Sequence, residues 1–232
     1  MSTEGNVAAY EPRDFPLFRS EEIVLDRILR PGQRALDLGC GNGRLTRRLR
    51  GEGRLVWAMD LNLEPLAGAA RRFGGDGTAF AGGDARDLPF HDGAFDVVVF
   101  AYNGIDFMAS AGERAAVLAE IGRVLRPGGW FVMSGHSPVG GVLTPRGLRS
   151  AQAWRVRRNV AAAAIRGRDR YRDADGSLIH HGRPGTVIAE VECAAGLRPA
   201  GVWATRSGRT GAAARLFSAW PTYLFRKLPA GA

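Results

Sequence analysis

The chain has 232 residues, 45% hydrophobic and 24% charged, a composition that excludes a disordered chain and allows one large domain or two small ones. Its net charge of +9 is uneven: residues 1–145 hold 16 basic and 18 acidic side chains (−2), residues 146–232 hold 16 basic and 5 acidic (+11). Apolar runs such as "FDVVVFAY" fall short of the ~20 residues of a membrane span, the first residues lack a signal peptide's apolar core, and Cys40 and Cys193 match no metal spacing, so no metal and a reducing, cytoplasmic setting are expected.

In chain order, "SEEIVLDRIL" reads as a helix capped by Ser20, with acidic residues in its first turn and Ile23, Val24, Ile28 and Leu29 on one face. "RALDLG" is a short buried strand and "GRLTRRLR" a helix. "RLVWAMD" is a second strand, and "LEPLAGAARRF" a helix with Pro65 in its first turn. "GTAFAGGD" and "AFDVVVFAY" give strands three and four. "SAGERAAVLAEIGRVLR" is a helix stopped by Pro127-Gly128-Gly129, and "WFVMSG" is strand five. Such alternation predicts right-handed crossovers and a mostly parallel sheet with helices on both faces. The pattern breaks over residues 145–184, where a basic helix and a hairpin turning at Asp175-Gly176 read as an insertion shaping the ligand crevice. "TVIAEVECAAG" resumes as a helix, "LRPAGVWAT" as a strand, and "WPTYLFRKL" as a closing edge strand. The whole reads as one domain, residues 1–232, with 145–184 as a lid or recognition insertion.

The run "LDLGCGNG" carries the first chemistry. Gly39 permits a tight turn, while Gly41 and Gly43 let the backbone approach a ligand. The dinucleotide fingerprint wants glycine at its sixth position, where this chain has Arg44. That disfavours an NAD-dependent dehydrogenase. A carboxylate at Asp37 suits a cationic ligand, whereas a pyrophosphate prefers bare amides.

Several motifs in order resemble the class I S-adenosylmethionine-dependent methyltransferases, in particular their small-molecule branch: "LDLGCGNG", Asp60 ending the second strand, "GDARDLPF", "FDVVVFAY" and "EIGRVLRPGGWFVMS". The resemblance runs through residues 35–135 and more loosely through the whole chain. It implies a doubly wound seven-stranded sheet with the last strand antiparallel, and S-adenosyl-L-methionine as cofactor. By the same resemblance, cofactor contacts fall on Asp37, Gly39, Cys40, Gly41, Gly43, Asp60 with its neighbour Leu61, Asp84, Ala85 and Tyr102. Asp60 would hold the ribose hydroxyls, Asp84 the adenine amino group, and Ala85 would offer backbone contacts. Cys40 also reads as a small packing residue.

Methyl transfer is an in-line displacement, so alignment supplies much of the catalysis, and a base is needed only when the nucleophile must lose a proton. Beyond strands four and five, His136 and Asp106 are the candidate catalytic residues, and Asn103, His180, Arg155 and Arg158 the candidate acceptor contacts. His181 adjoins them in the hairpin. Arginine's planar fork would suit an anionic small molecule. The basic half leaves RNA methylation as an alternative, but the aromatics Trp154 and Tyr171 are too few for a stacking platform. A small-molecule acceptor is therefore expected, on an oxygen, nitrogen or carbon atom.

Overall fold

A computed structural model of the protein describes residues 16–138, 140, 151–173, 176–211 and 218–229. Seven strands form one sheet: β1 (Arg34–Leu38), β2 (Leu55–Asp60), β3 (Thr78–Gly82), β4 (Phe95–Phe100), β5 (Leu125–Ser134), β8 (Arg198–Trp203) and β9 (Thr222–Arg226). Two short strands, β6 (Arg170–Arg172) and β7 (Leu178–His180), make a separate hairpin. The sheet order is β3-β2-β1-β4-β5-β9-β8. Pairings from β3 to β5 are parallel, and β9 runs antiparallel to both β5 and β8. The chain therefore has a doubly wound, Rossmann-like sheet, with a helix and hairpin inserted after β5. The antiparallel strand was expected at the edge. It lies inside instead, and β8 takes the edge.

Burial on both faces explains why the central strands read as continuous apolar runs. In β4, Val98 and Phe100 join one core with Leu36, Leu118, Ile121 and Phe225. Val97 and Val99 face the other core, with Val24, Leu25, Ala35 and Leu49. Helices α1 (Arg19–Ile28) and α2 (Thr46–Leu49) contribute to this second core, and α4 (Ala111–Val124) and α6 (Pro184–Ala195) to the first. The helix α3 (Leu63–Phe73) begins at Asn62, whose side chain accepts the Glu64 N–H, and Ser110 caps α4 in the same way. Gly196, left-handed at φ 64°, ends α6.

Three local expectations are corrected. Ser20 does not cap α1: Phe18 holds the N-cap position and its N–H donates to Glu21, while Ser20 is buried with its Oγ 2.7 Å from Thr222 Oγ1. The helix expected over residues 43–50 is one turn, because the glycine turn occupies its first residues. Helix α4 stops at Val124 rather than at Pro127, and Pro127-Gly128-Gly129 lies in an irregular start to β5.

The inserted segment comprises α5 (Ala151–Ile165) and the β6–β7 hairpin, joined by a small apolar cluster of Val160, Ala163, Tyr171 and Ile179. Residues 145–150 and Asp175 of the expected turn lie outside the described residues.

Candidate active site

The glycine turn leaves the carboxyl end of β1, where the strand order reverses between β2 and β4, the place at which open α/β sheets bind ligands. Gly39, Gly41 and Gly43 all have positive φ, at 65°, 51° and 80°. At two of them a side chain would collide with neighbouring packing. A Cβ on Gly39 would sit 2.8 Å from the Phe100 ring, and one on Gly43 would sit 2.7 Å from the Phe73 ring. The Gly41 N–H donates to Asp60 Oδ2 at 2.7 Å, and the Asn62 N–H donates to Asp60 Oδ1 at 2.8 Å, so one carboxylate ties the turn to the end of β2.

Asp37 is not open to a ligand. It is buried in β1 beneath the turn, with the Thr46 hydroxyl donating to Oδ2 at 2.6 Å. Burial pushes its carboxyl up to about 7, against the opposing pull of the Thr46 bond and the Arg44 charge. Cys40 is buried against Ala58, Leu66 and Phe80, and burial raises its thiol far from reactivity. Asp84 is clasped by the Arg86 guanidinium, whose hydrogen bonds hold the carboxyl below its usual range; Arg86 also reaches Glu113. Ala85 is half-buried against the first core.

Leu61 and Tyr102 stand 71% and 54% exposed at the ends of β2 and β4. Tyr102 and Asn103 are consecutive left-handed residues, φ 53° and 62°, a strained turn of the kind that gathers at functional sites. The Asn103 side chain is buried, and its Oδ1 has no partner. These features fit S-adenosylmethionine. An apolar surface at Leu61 and Tyr102 suits a flat base and a thioether chain, and Asp60 and Asp84 supply acceptors for hydroxyl and amino donors.

Just past Asn103, the 3-10 turn Gly104–Phe107 carries Asp106, which is buried and receives two histidines. His136 Nδ1 lies 2.9 Å from Oδ2 and His180 Nδ1 lies 3.0 Å from Oδ1; the His136 backbone N–H also donates to Oδ2. Burial alone would raise the Asp106 carboxyl, but the hydrogen bonds from His136 and His180 and the His136 charge outweigh it and hold it low. An ionised carboxylate only accepts, so both Nδ1 atoms carry hydrogen, and in the neutral form of either ring Nε2 carries the lone pair. His181 is also buried, 5% exposed, and neither ring nitrogen has a partner. Burial and the neighbouring His180 lower its basicity. No group of these side chains among the described residues has the arrangement of a metal site.

The three candidates His136, Asp106 and His180 thus come from three separate stretches to one point. Arg155 and Arg158 are exposed on α5. Sequence reading missed the N-terminal side of the site. Arg44 is bound by both Glu21 oxygens at 2.7 Å and lies over the Phe18 and Tyr102 rings. Phe18 stacks on Tyr102 and meets Trp220, and Trp220 meets His136. The signal was thin: "PLF" before the first helix and a lone tryptophan before the last strand.

Residues 36–133 match the model of a family described as a methyltransferase domain. The chain is 37% identical over 108 residues to a demethylmenaquinone methyltransferase of Beutenbergia cavernae, a stretch covering 47% of this chain and 42% of that protein. It spans less than half the length of the curated relatives it matches. Among solved structures, a methyltransferase from Methanosarcina mazei superposes with a TM-score of 0.66 at 19% identity, over 93% of this chain and 100% of the other. The 1,6-didemethyltoxoflavin-N1-methyltransferase of Burkholderia thailandensis, solved with its substrate and S-adenosylhomocysteine, superposes at 0.62 and 21% identity over 90% and 76%. At such identities the structural likeness concerns the fold, and the sequence match concerns less than half of the chain. Residues 36–133 thus carry the likeness to methyltransferases in sequence, and the whole sheet carries it in fold.

Proposed function

We propose that the protein transfers a methyl group to a small-molecule acceptor, with His136 as general base and Asp106 as the group that orients it. The carrying observation is the buried Asp106 carboxylate fixing the His136 tautomer at the carboxyl end of β4 and β5. When bound, S-adenosylmethionine supplies an electrophilic methyl on a sulfonium sulfur. Asp60 and Asp84 would hold its ribose and adenine, and the Gly41 backbone would lie along it. Tyr102 and Leu61 would cover apolar parts of the ligand and keep water away. His136 accepts the proton that the acceptor must lose, and Asp106 stabilises the resulting imidazolium without taking the proton itself. Relatives named for a quinone precursor and a didemethyltoxoflavin support a small acceptor.

Calorimetry tests this reading. S-adenosylhomocysteine should bind at micromolar levels with NAD far weaker, and Asp60→Ala should weaken binding by about 1.5–3 kcal/mol through loss of a charged acceptor. Equal affinity for NAD would overturn it.

A further inference from the structure

Six rings form a continuous run from the glycine turn to the inserted hairpin. Tyr102 stacks on Phe18 at 6.1 Å, Phe18 meets Trp220 at 6.1 Å, and Trp220 meets His136 edge-on at 6.2 Å. His136 in turn meets Tyr171 at 6.0 Å, and Tyr171 meets His181 at 5.7 Å. These residues come from five separate parts of the chain, so no local periodicity produces the run. Flat unsaturated surfaces gain most from such walls, through offset stacking and edge-to-face contact.

Two polar features punctuate the wall. His136 presents a lone pair on Nε2, set by Asp106, and a base has work only where a nucleophile carries a proton. His181 is a buried imidazole with neither nitrogen partnered, and such a group is destabilising unless something arrives to satisfy it. A neutral imidazole offers one donor and one acceptor, which matches a hydroxyl.

Resting on the methyl-transfer reading, we propose that the acceptor is a planar hydroxyarene, methylated on the hydroxyl oxygen that meets His136, with a second polar ring substituent read by His181. In the step, the O–H proton passes to His136 Nε2 while the oxygen forms a bond to the methyl carbon. The C–S bond breaks, and its electron pair stays on sulfur to give neutral S-adenosylhomocysteine. The imidazolium then returns its proton to solvent.

The experiment measures binding to protein saturated with S-adenosylhomocysteine, and methylation by mass spectrometry. Its probes are 2,3-dihydroxynaphthalene, 2-naphthol, the non-planar cis-1,2-cyclohexanediol and hexadecanoate. The naphthalene probes should bind and be methylated on oxygen, the dihydroxy compound roughly fivefold to tenfold tighter, while the diol and the fatty acid should do neither. His181→Phe keeps the ring and removes the unsatisfied nitrogens. It should melt no lower than the parent and lose the preference for 2,3-dihydroxynaphthalene over 2-naphthol. Methylation of the diol or hexadecanoate in place of the arenes, binding of neither arene, or an unchanged preference in His181→Phe overturns the proposal. Failure to bind S-adenosylhomocysteine at all overturns the methyl-transfer reading beneath it, so the two failures are distinct.

Discussion

Asp37 shows how a residue can sit in the expected place and serve a different end. Its position before the glycine turn was legible in the sequence, but its burial was not, because burial depends on how Thr46 and the turn close over it. The consequence is a pH dependence of known sign. The carboxyl titrates near 7 in the folded protein and near 3.8 when unfolded, so between those values the folded state binds the extra proton. The associated stability is complete below about 3.8 and is lost as pH rises through 7, on the order of 4 kcal/mol in all. Asp37→Asn keeps the shape without the titration. The free-energy difference between variant and parent, from urea melts, should move in the variant's favour between pH 4.5 and pH 8. A difference constant with pH would reject the assignment. The glycines teach a similar lesson: their spacing was readable, but that Gly39 makes room for Phe100 and Gly43 for Phe73 depends on residues far along the chain.

At the scale of elements, the strands and α3, α4 and α6 followed from apolar pattern and punctuation, since each is buried in the way its period demands. Helix α1 was read correctly as a helix and wrongly at its start. Glu21, expected only to favour the helix dipole, is buried and holds Arg44 through two bonds, which fastens α1 to the glycine turn. Removing one partner of such a pair leaves an uncompensated charge. Glu21→Ala should therefore cost about 3 kcal/mol in denaturant unfolding, far more than replacing Glu22, whose pair with Arg19 is exposed. Equal costs would show that the Arg44 clasp contributes nothing. The inserted hairpin is not a loose appendage. It is held instead by Tyr171 and Ile179 against α5 and by His180 on Asp106.

Across the whole molecule, the division of charge was the plainest global feature of the sequence, and it reads differently once folded. Arg155 and Arg158 lie exposed on α5, whereas the histidines and aromatic rings of the candidate site pack against one another. Replacing both arginines with alanine should leave an acceptor's KM within about twofold and reduce only nucleic-acid retention at low salt, a counterion effect. Methylation of RNA that falls with the same replacement would favour the nucleic-acid alternative. Fold class was legible because alternation of strand and helix is a local signal repeated many times. The acceptor site was legible only as scattered candidates, because Asp106, His136 and His180 meet through tertiary contacts.

The interior place of β9 has a consequence for how the chain reaches its fold. Strand β5 is finished at Ser134 and β8 at Trp203, yet the slot between them stays open until residues 222–226 have been synthesised. Until then, the side of β5 that pairs residues 130–134 with β9 has unpaired backbone donors and acceptors, beside apolar side chains such as Phe131 and Met133. A nascent chain paused or cut after β8 would expose this edge to other chains, so its hazard on the ribosome is association rather than simple instability.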